Sequence, residues 1–243
     1  MKTLENFRIV LVEPQHPGNI GAAARAMKAM GLSDLALVAP RSFPHADASA
    51  RAAGADDVLQ AATCLDTLAE AVADCQLVVG ASARARRLAW QNLDPRQAAQ
   101  EACATAGKVA MVFGRERSGL RNDELDLCHR HLMIPANPEY ASLNLAAAVQ
   151  VVCYELRMAA LGEQVPAQSS VGEQVELARV EDIEGFYTHL QEVLVASEFL
   201  DPEKPRKLMR RLRRLYNRAE LETTEVNILR GILTALDPRK SQS

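Results

Sequence analysis

"HPGNIGAAARAM", residues 16–27, follows the apolar run "FRIVLVE", residues 7–13. A strand gives way to a glycine-punctuated turn and then to a helix of small residues, the opening of an α/β fold. A dinucleotide-binding turn carries three glycines as G-x-G-x-x-G: one makes the tight turn, one admits the pyrophosphate, and one lets helix and strand touch. Here only Gly18 and Gly21 are present, while Asn19 and Arg25 occupy the turn and the first helix, where a pyrophosphate site requires neither. The stretch holds something other than a dinucleotide.

Outward from it, short Val/Ile/Leu/Ala-rich runs predict buried parallel strands at about 7–12, 35–38, 76–80, 108–113 and 131–135. Ala-rich segments at about 20–30, 64–73 and 95–106 predict the helices that cover both faces of the sheet. After the fifth strand comes "ANPEYASLNLAAAVQVVCYELRMAAL", residues 136–161, in which Ser142 or Asn144 caps a long helix reaching about Leu161. The next stretch, 162–180, is rich in Gly, Pro, Ser and Gln with little apolar periodicity and reads as a linker. Beyond it, helical spacing recurs at 181–198, 204–218 and 222–236, with Leu208, Leu212 and Leu215 on one face and Met209 and Tyr216 alongside. The expected organisation is a domain over 1–163, a linker over 164–180 and a small all-helical extension over 181–243.

A chain of 243 residues with formal net charge −3 does not announce a nucleic-acid partner, so any such partner must meet a local patch. "PRKLMRRLRRLYNR", residues 205–218, supplies one: Arg206, Lys207, Arg210, Arg211, Arg213, Arg214 and Arg218, with no acid among them. A helix so charged repels itself unless an anion meets it, and RNA phosphate fits. Glu173, Glu176, Glu181, Asp182 and Glu184 just before it read as a solvated linker and helix start, and they mask the basic module in the total charge. Five widely spaced cysteines predict reduced thiols and a cytoplasmic protein. No leader pattern and no apolar run of spanning length is read, so the chain is expected to be neither exported nor embedded. "CHRH", residues 128–131, lacks the second ligand pair that a structural zinc needs and reads as a surface turn beside a strand, so no metal is expected.

Three segments gather glycine, asparagine and charge just beyond predicted strands, where α/β folds place ligands. They are the opening stretch, "VFGRERSGLRNDEL" at 112–125, and "IPANPEYASLNLAAAVQ" at 134–150. Together they resemble the three motifs of the SPOUT methyltransferases, in particular the TrmH-like branch, with likeness along nearly the whole chain. The resemblance implies a parallel sheet closed by a C-terminal trefoil knot, a homodimer with the long helix at its interface, and 2′-O-methylation of a tRNA ribose at nucleotide 32 with S-adenosylmethionine (AdoMet) as donor. It implies roles as well. Arg25 matches the catalytic arginine, Asn19 and Glu116 match residues supporting the ribose, and Asn144 joins them in the third motif. AdoMet would lie against Ala81, Ser82, Ala83, Gly114, Ile134, Ala141, Ser142 and Leu143, with tRNA on Arg206, Lys207, Arg210, Arg211, Arg213 and Arg214. Methyl transfer needs in-line approach of the ribose oxygen and management of its proton, which is work of positioning and charge. A guanidinium stays protonated in proteins, so Arg25 reads as an orienter of phosphate and ribose, with proton acceptance by it as the alternative reading. A different RNA target, or a non-catalytic RNA-binding module of the same fold, remains open at this point.

Overall fold

The computed structural model describes residues 4–82, 92–140, 142–162 and 177–240. It divides into two units, Met1–Ser170 and Val171–Ser243. In the first, the order is β1 (Phe7–Val12), α1 (Pro17–Met30), β2 (Asp34–Val38), α2 (Ala46–Ala52), α3 (Asp56–Gln60), β3 (Thr63–Leu65) and α4 (Leu68–Val72). Then come β4 (Leu77–Ala81), β5 (Asn92–Leu93), α5 (Pro95–Ala104), β6 (Val109–Phe113), α6 (Asn122–Asp126), β7 (Arg130–Leu132) and α7 (Leu145–Gly162).

The strands form one sheet in the order β3-β2-β1-β6-β4-β7-β5, with every pairing parallel. The interior strands β1 and β6 are buried almost end to end, as expected of apolar runs covered on both faces. β1, β6, β4 and β7 are neighbours and all point one way, so the loops after them meet at a single edge of the sheet. Five strands lie within a residue or two of expectation at their starts, although β7 stops at Leu132, short of the predicted residue 135. β3 and β5 are additional, one at each edge of the sheet, and the predicted helix at 64–73 resolves into β3 followed by α4.

Asn144, not Ser142, caps α7: its Oδ1 accepts the N–H of Ala146 at 2.9 Å and of Ala147 at 3.4 Å. Against expectation, α7 is long and apolar enough by composition to cross a bilayer, with mean hydropathy 1.3. One side of it lies in the core through Val149, Val152, Cys153 and Leu156. Along its other side Tyr154, Met158 and Leu161 stand exposed. All five cysteines are thiols, four of them buried.

Of the two opening glycines, Gly21 is explained by packing. A Cβ on Gly21 would sit 1.9 Å from the Ala48 carbonyl oxygen, so this glycine lets α1 and α2 touch backbone to backbone. It is a helix-packing residue, and no phosphate cradle is needed to account for it. "CHRH" is not a surface turn. Cys128 and His131 are buried, and His129 Nδ1 accepts the Val78 N–H at 3.0 Å, tying the chain before β7 to β4.

The second unit contains α8 (Val180–Ala196), α9 (Leu208–Ala219) and α10 (Thr223–Leu236). Its core gathers Ile183, Phe186, Tyr187, Leu190, Leu221 and Val226. α9 docks through Met209, Leu212 and Tyr216, whose ring meets Phe186 edge-on at 4.9 Å. The expected stripe of Leu208, Leu212 and Leu215 is thus one position out of register, and Leu215 faces solvent. The end of the stretch read as linker belongs to this unit, because Ala178 is buried and its N–H donates to Leu221 O at 2.8 Å. Residues 163–176 of that stretch lie outside the described residues.

Candidate active site

At the strand-end edge of the first unit lies a cleft of about 340 Å³, within the usual range for small-ligand sites. Ala81 and Ser82 enter from β4, Phe113 and Gly114 through Leu120 from β6, and Ile134, Ser142 and Leu143 from the chain between β7 and α7. Every described residue expected to hold AdoMet therefore lines one cavity. Ala83 and Ala141 lie outside the described residues. The walls are built of small side chains and backbone. Gly114 cannot be otherwise, because a Cβ there would lie 2.2 Å from Gly119 C and 2.3 Å from Leu120 N. The Gly119 N–H donates to Arg115 O at 2.9 Å, closing the loop over Gly114.

Beside the cleft, side chains from the three motifs are joined in a chain. Glu116 accepts the backbone N–H groups of Gln15 at 2.9 Å and His16 at 3.1 Å, and Asn19 Nδ2–H at 3.0 Å. Asn19 Oδ1 in turn accepts Asn144 Nδ2–H at 3.0 Å. Glu116 thereby caps the start of α1, where the helix dipole favours an anion and Pro17 offers no N–H. Burial opposes ionisation of Glu116, yet the bonds from Asn19, Gln15 and His16 outweigh it and hold the carboxyl below its ordinary range. It is a committed carboxylate, shaped for holding the turn.

Asn19 and Asn144 flank the cleft without lining it. Arg25 is exposed on α1 and does not line it either. Sequence reasoning missed Glu13 and Glu124, which grip Arg115. Arg115 Nε donates to Glu13 at 2.7 Å, and its two terminal nitrogens donate to Glu124 at 2.7 and 3.0 Å. The two carboxylates raise the Arg115 pKa, Glu124 more than Glu13. The one available signal was an acid ending the apolar run "FRIVLVE" on the ligand side of the sheet.

In the second unit, Arg206, Lys207 and Arg211 are exposed and Arg210 and Arg214 half-buried. Arg213 differs from its expected part. It pairs with Glu184 through both terminal nitrogens and lies 4.4 Å from the Tyr187 ring centroid, so it is committed to the module's own packing. The seven cations are therefore not all unopposed. Among the described residues no group of three or more His, Cys, Asp or Glu is placed to hold a metal ion.

Residues 6–154 match the SpoU rRNA Methylase family, and residues 181–243 match the family described as tRNA methyltransferase TrmJ, C-terminal domain. The tRNA (cytidine/uridine/adenosine-2′-O-)-methyltransferase TrmJ of Pseudomonas aeruginosa is 55% identical over 240 residues, covering 95% of this chain and 93% of that protein. The tRNA (cytidine/uridine-2′-O-)-methyltransferase TrmJ of Klebsiella pneumoniae is 53% identical over 96% of this chain and 97% of its own length. The crystal structure of TrmJ from Z. mobilis ZM4 superposes with a TM-score of 0.84 at 38% identity, covering 94% of this chain and 98% of that one. Motif, cleft and overall likeness agree, and the chain belongs to the SpoU methylase family, in its TrmJ branch.

Proposed function

We propose that this protein is an AdoMet-dependent tRNA ribose 2′-O-methyltransferase acting at nucleotide 32 of the anticodon loop. The observation that carries this reading is the convergence of Ser82, Gly114, Ile134, Ser142 and Leu143 on one cleft beside the Glu116–Asn19–Asn144 chain. Small residues and exposed backbone suit a bent cofactor held by main-chain groups. AdoMet, when bound, supplies an electrophilic methyl group on a sulfonium. The protein's own residues position and shield. The Gly114–Leu120 loop and Ser142–Leu143 wall the cofactor pocket, while Glu116 and Asn144 fix Asn19 at its rim. Arg25, exposed on the same helix as Asn19, orients phosphate and ribose.

The division of labour proposed is a methyltransferase domain over 1–163, a connecting segment, and an RNA-binding module over 181–243. In the module Arg206, Lys207, Arg210, Arg211 and Arg214 meet phosphate, and Arg213 holds the fold. The match of residues 181–243 to the TrmJ C-terminal family favours tRNA over ribosomal RNA. A trefoil knot, a very rare topology, is proposed from the likeness to the SPOUT motifs, and the chain between β7 and α7 lining the same cleft as the loops after β4 and β6 is compatible with it. The exposed stripe of Tyr154, Met158 and Leu161 on α7 suits a homodimer interface. Free thiols fit a cytoplasmic enzyme. Incubating the purified protein with labelled AdoMet and either unmodified tRNA or ribosomal RNA, then mapping ribose methylation, tests the reading. Label at nucleotide 32 of tRNA is expected; label only in ribosomal RNA, or none, refutes it.

A further inference from the structure

The loops after β1 and β6 are tied together twice, in opposite directions. Glu116, after β6, reaches back to the Gln15 and His16 N–H groups. Glu13, after β1, reaches forward to Arg115, with Nε donating at 2.7 Å. Arg115 is gripped from several sides. Nε donates to Glu13, with Nη2 in ion-pair contact with the same carboxylate, and Nη1 and Nη2 both donate to Glu124. Nη1 also donates to the Gly119 carbonyl at 3.2 Å, so all three guanidinium nitrogens are engaged by the protein's own acceptors. With Arg115 only 8% exposed, its guanidinium is committed to the protein's own groups. It serves the loop whose backbone walls the cleft.

Glu13 itself stands at φ 44°, a left-handed conformation that is strained for a non-glycine residue. It is held there by its N–H bond to Val38 O at 2.8 Å. Arg121 grips Glu13 and Glu124 as well, so the acid sits between two arginines of the cofactor loop.

We propose that Glu13 is a positioning residue for methyl transfer: through Arg115 it sets residues 114–119 relative to α1, which carries Asn19 and Arg25. This rests on the tRNA methyltransferase reading above. A neutral amide at position 13 keeps the shape but presents one acceptor where the guanidinium needs two, and it removes half of the anionic grip. The bond from Nη1 to Gly119 then loses its fixed geometry, and the wall next to Gly114 loosens.

The test compares Glu13→Gln with Asp34→Asn in the full-length protein, after wild-type protein has been shown to bind AdoMet and methylate tRNA. Asp34 pairs with Arg8 at 3.1 Å at the opposite end of the same sheet, where it can cost stability without touching the cleft. Assayed well below both melting temperatures, Glu13→Gln should raise KM for AdoMet roughly fivefold and lower kcat roughly tenfold, while Asp34→Asn stays within about twofold in both. If Glu13→Gln lowers only the melting temperature, as Asp34→Asn does, the proposal is overturned. Should the glutamine variant fail to fold, Glu13→Asp keeps the charge on a shorter arm and is expected to raise KM for AdoMet roughly threefold; wild-type kinetics from it overturn the proposal equally. A wild-type protein that neither binds AdoMet nor methylates tRNA refutes the functional reading itself, and the proposal with it.

Discussion

Replacing Gly114 with alanine places a methyl group where the protein has backbone. The new carbon would lie 2.2 Å from Gly119 C, 2.3 Å from Leu120 N and 2.5 Å from Gly119 O. Ordinary van der Waals separation begins at about 3.5 Å, so the two strands of the loop must part by roughly 1 Å or more. None of the three atoms is the end of a side chain that could swing aside. The parting therefore falls on the Arg115–Gly119 closure and on the cleft wall that it supports. A misplacement of about 1 Å at a positioned reaction centre costs on the order of 100-fold in rate, and that is the loss expected in methyl transfer. AdoMet affinity, measured by calorimetry, should fall with it. Gly119→Ala is the informative comparison. There φ is 67° and an added Cβ meets nothing within 4 Å, so the penalty is backbone strain of about 1–2 kcal/mol without a clash. It should lower stability and leave cofactor affinity much nearer to wild type. Gly114→Ala protein that binds AdoMet and turns over normally would refute the placement of the cofactor against this loop.

Arg25→Ala should leave AdoMet affinity unchanged and abolish methyl transfer, because Arg25 lies outside the cleft; turnover at the wild-type rate would remove it from the mechanism. Changing Arg210, Arg211 and Arg214 to alanine should weaken tRNA binding and flatten its salt dependence, lowering the log–log slope by roughly one for each phosphate that is no longer neutralised. Arg213→Ala should instead destabilise the second unit by about 2 kcal/mol, through loss of the Glu184 pair and the Tyr187 stack, seen by thermal melting. Burial first, and then the neighbouring Arg130 charge, lower the His129 pKa to about 4 from its ordinary 6.5. The unfolded chain therefore takes up a proton in that interval which the folded chain refuses. Stability should fall as pH drops from about 6.5 toward 4, by about 3 kcal/mol in all. His129→Asn should remove that slope in urea unfolding at pH 7, 5.5 and 4.5; an unchanged slope would exclude His129 as its source.

The interior strands were legible because a parallel strand buried on both faces must be apolar throughout, as "RIVLV" and "VAMVF" are. β3 was not, since Thr63 and Cys64 are exposed and three residues carry no period. In α9 two apolar stripes overlap by one residue, and the sequence alone does not say which one docks. The aromatic pocket of Phe186 and Tyr187 accepts Tyr216, and that settles the register. That Ser82, Gly114, Ile134, Ser142 and Leu143 gather in one place was legible through motif resemblance. The Glu13–Arg115–Glu124 closure was not, because charges 102 and 9 residues apart show no pairing until the fold brings them together.

The hydrogen bond between Asn19 and Asn144 spans 125 residues of chain. At synthesis rates of about 5–20 residues per second, about 6–25 seconds separate the emergence of its two ends. β1 and β2 are made early and can pair with each other, but the partner for the other edge of β1 is β6, which begins only at Val109. The nascent chain therefore carries an apolar strand with an open edge while the chain between Val12 and Val109 is made, a state prone to pairing with other chains. Long-range parallel pairing is also slow once all the strands exist. The catalytic cleft is consequently among the last parts of the first unit to form, and a chain stopped before Asn144 can hold much of the sheet without any means of fixing Asn19.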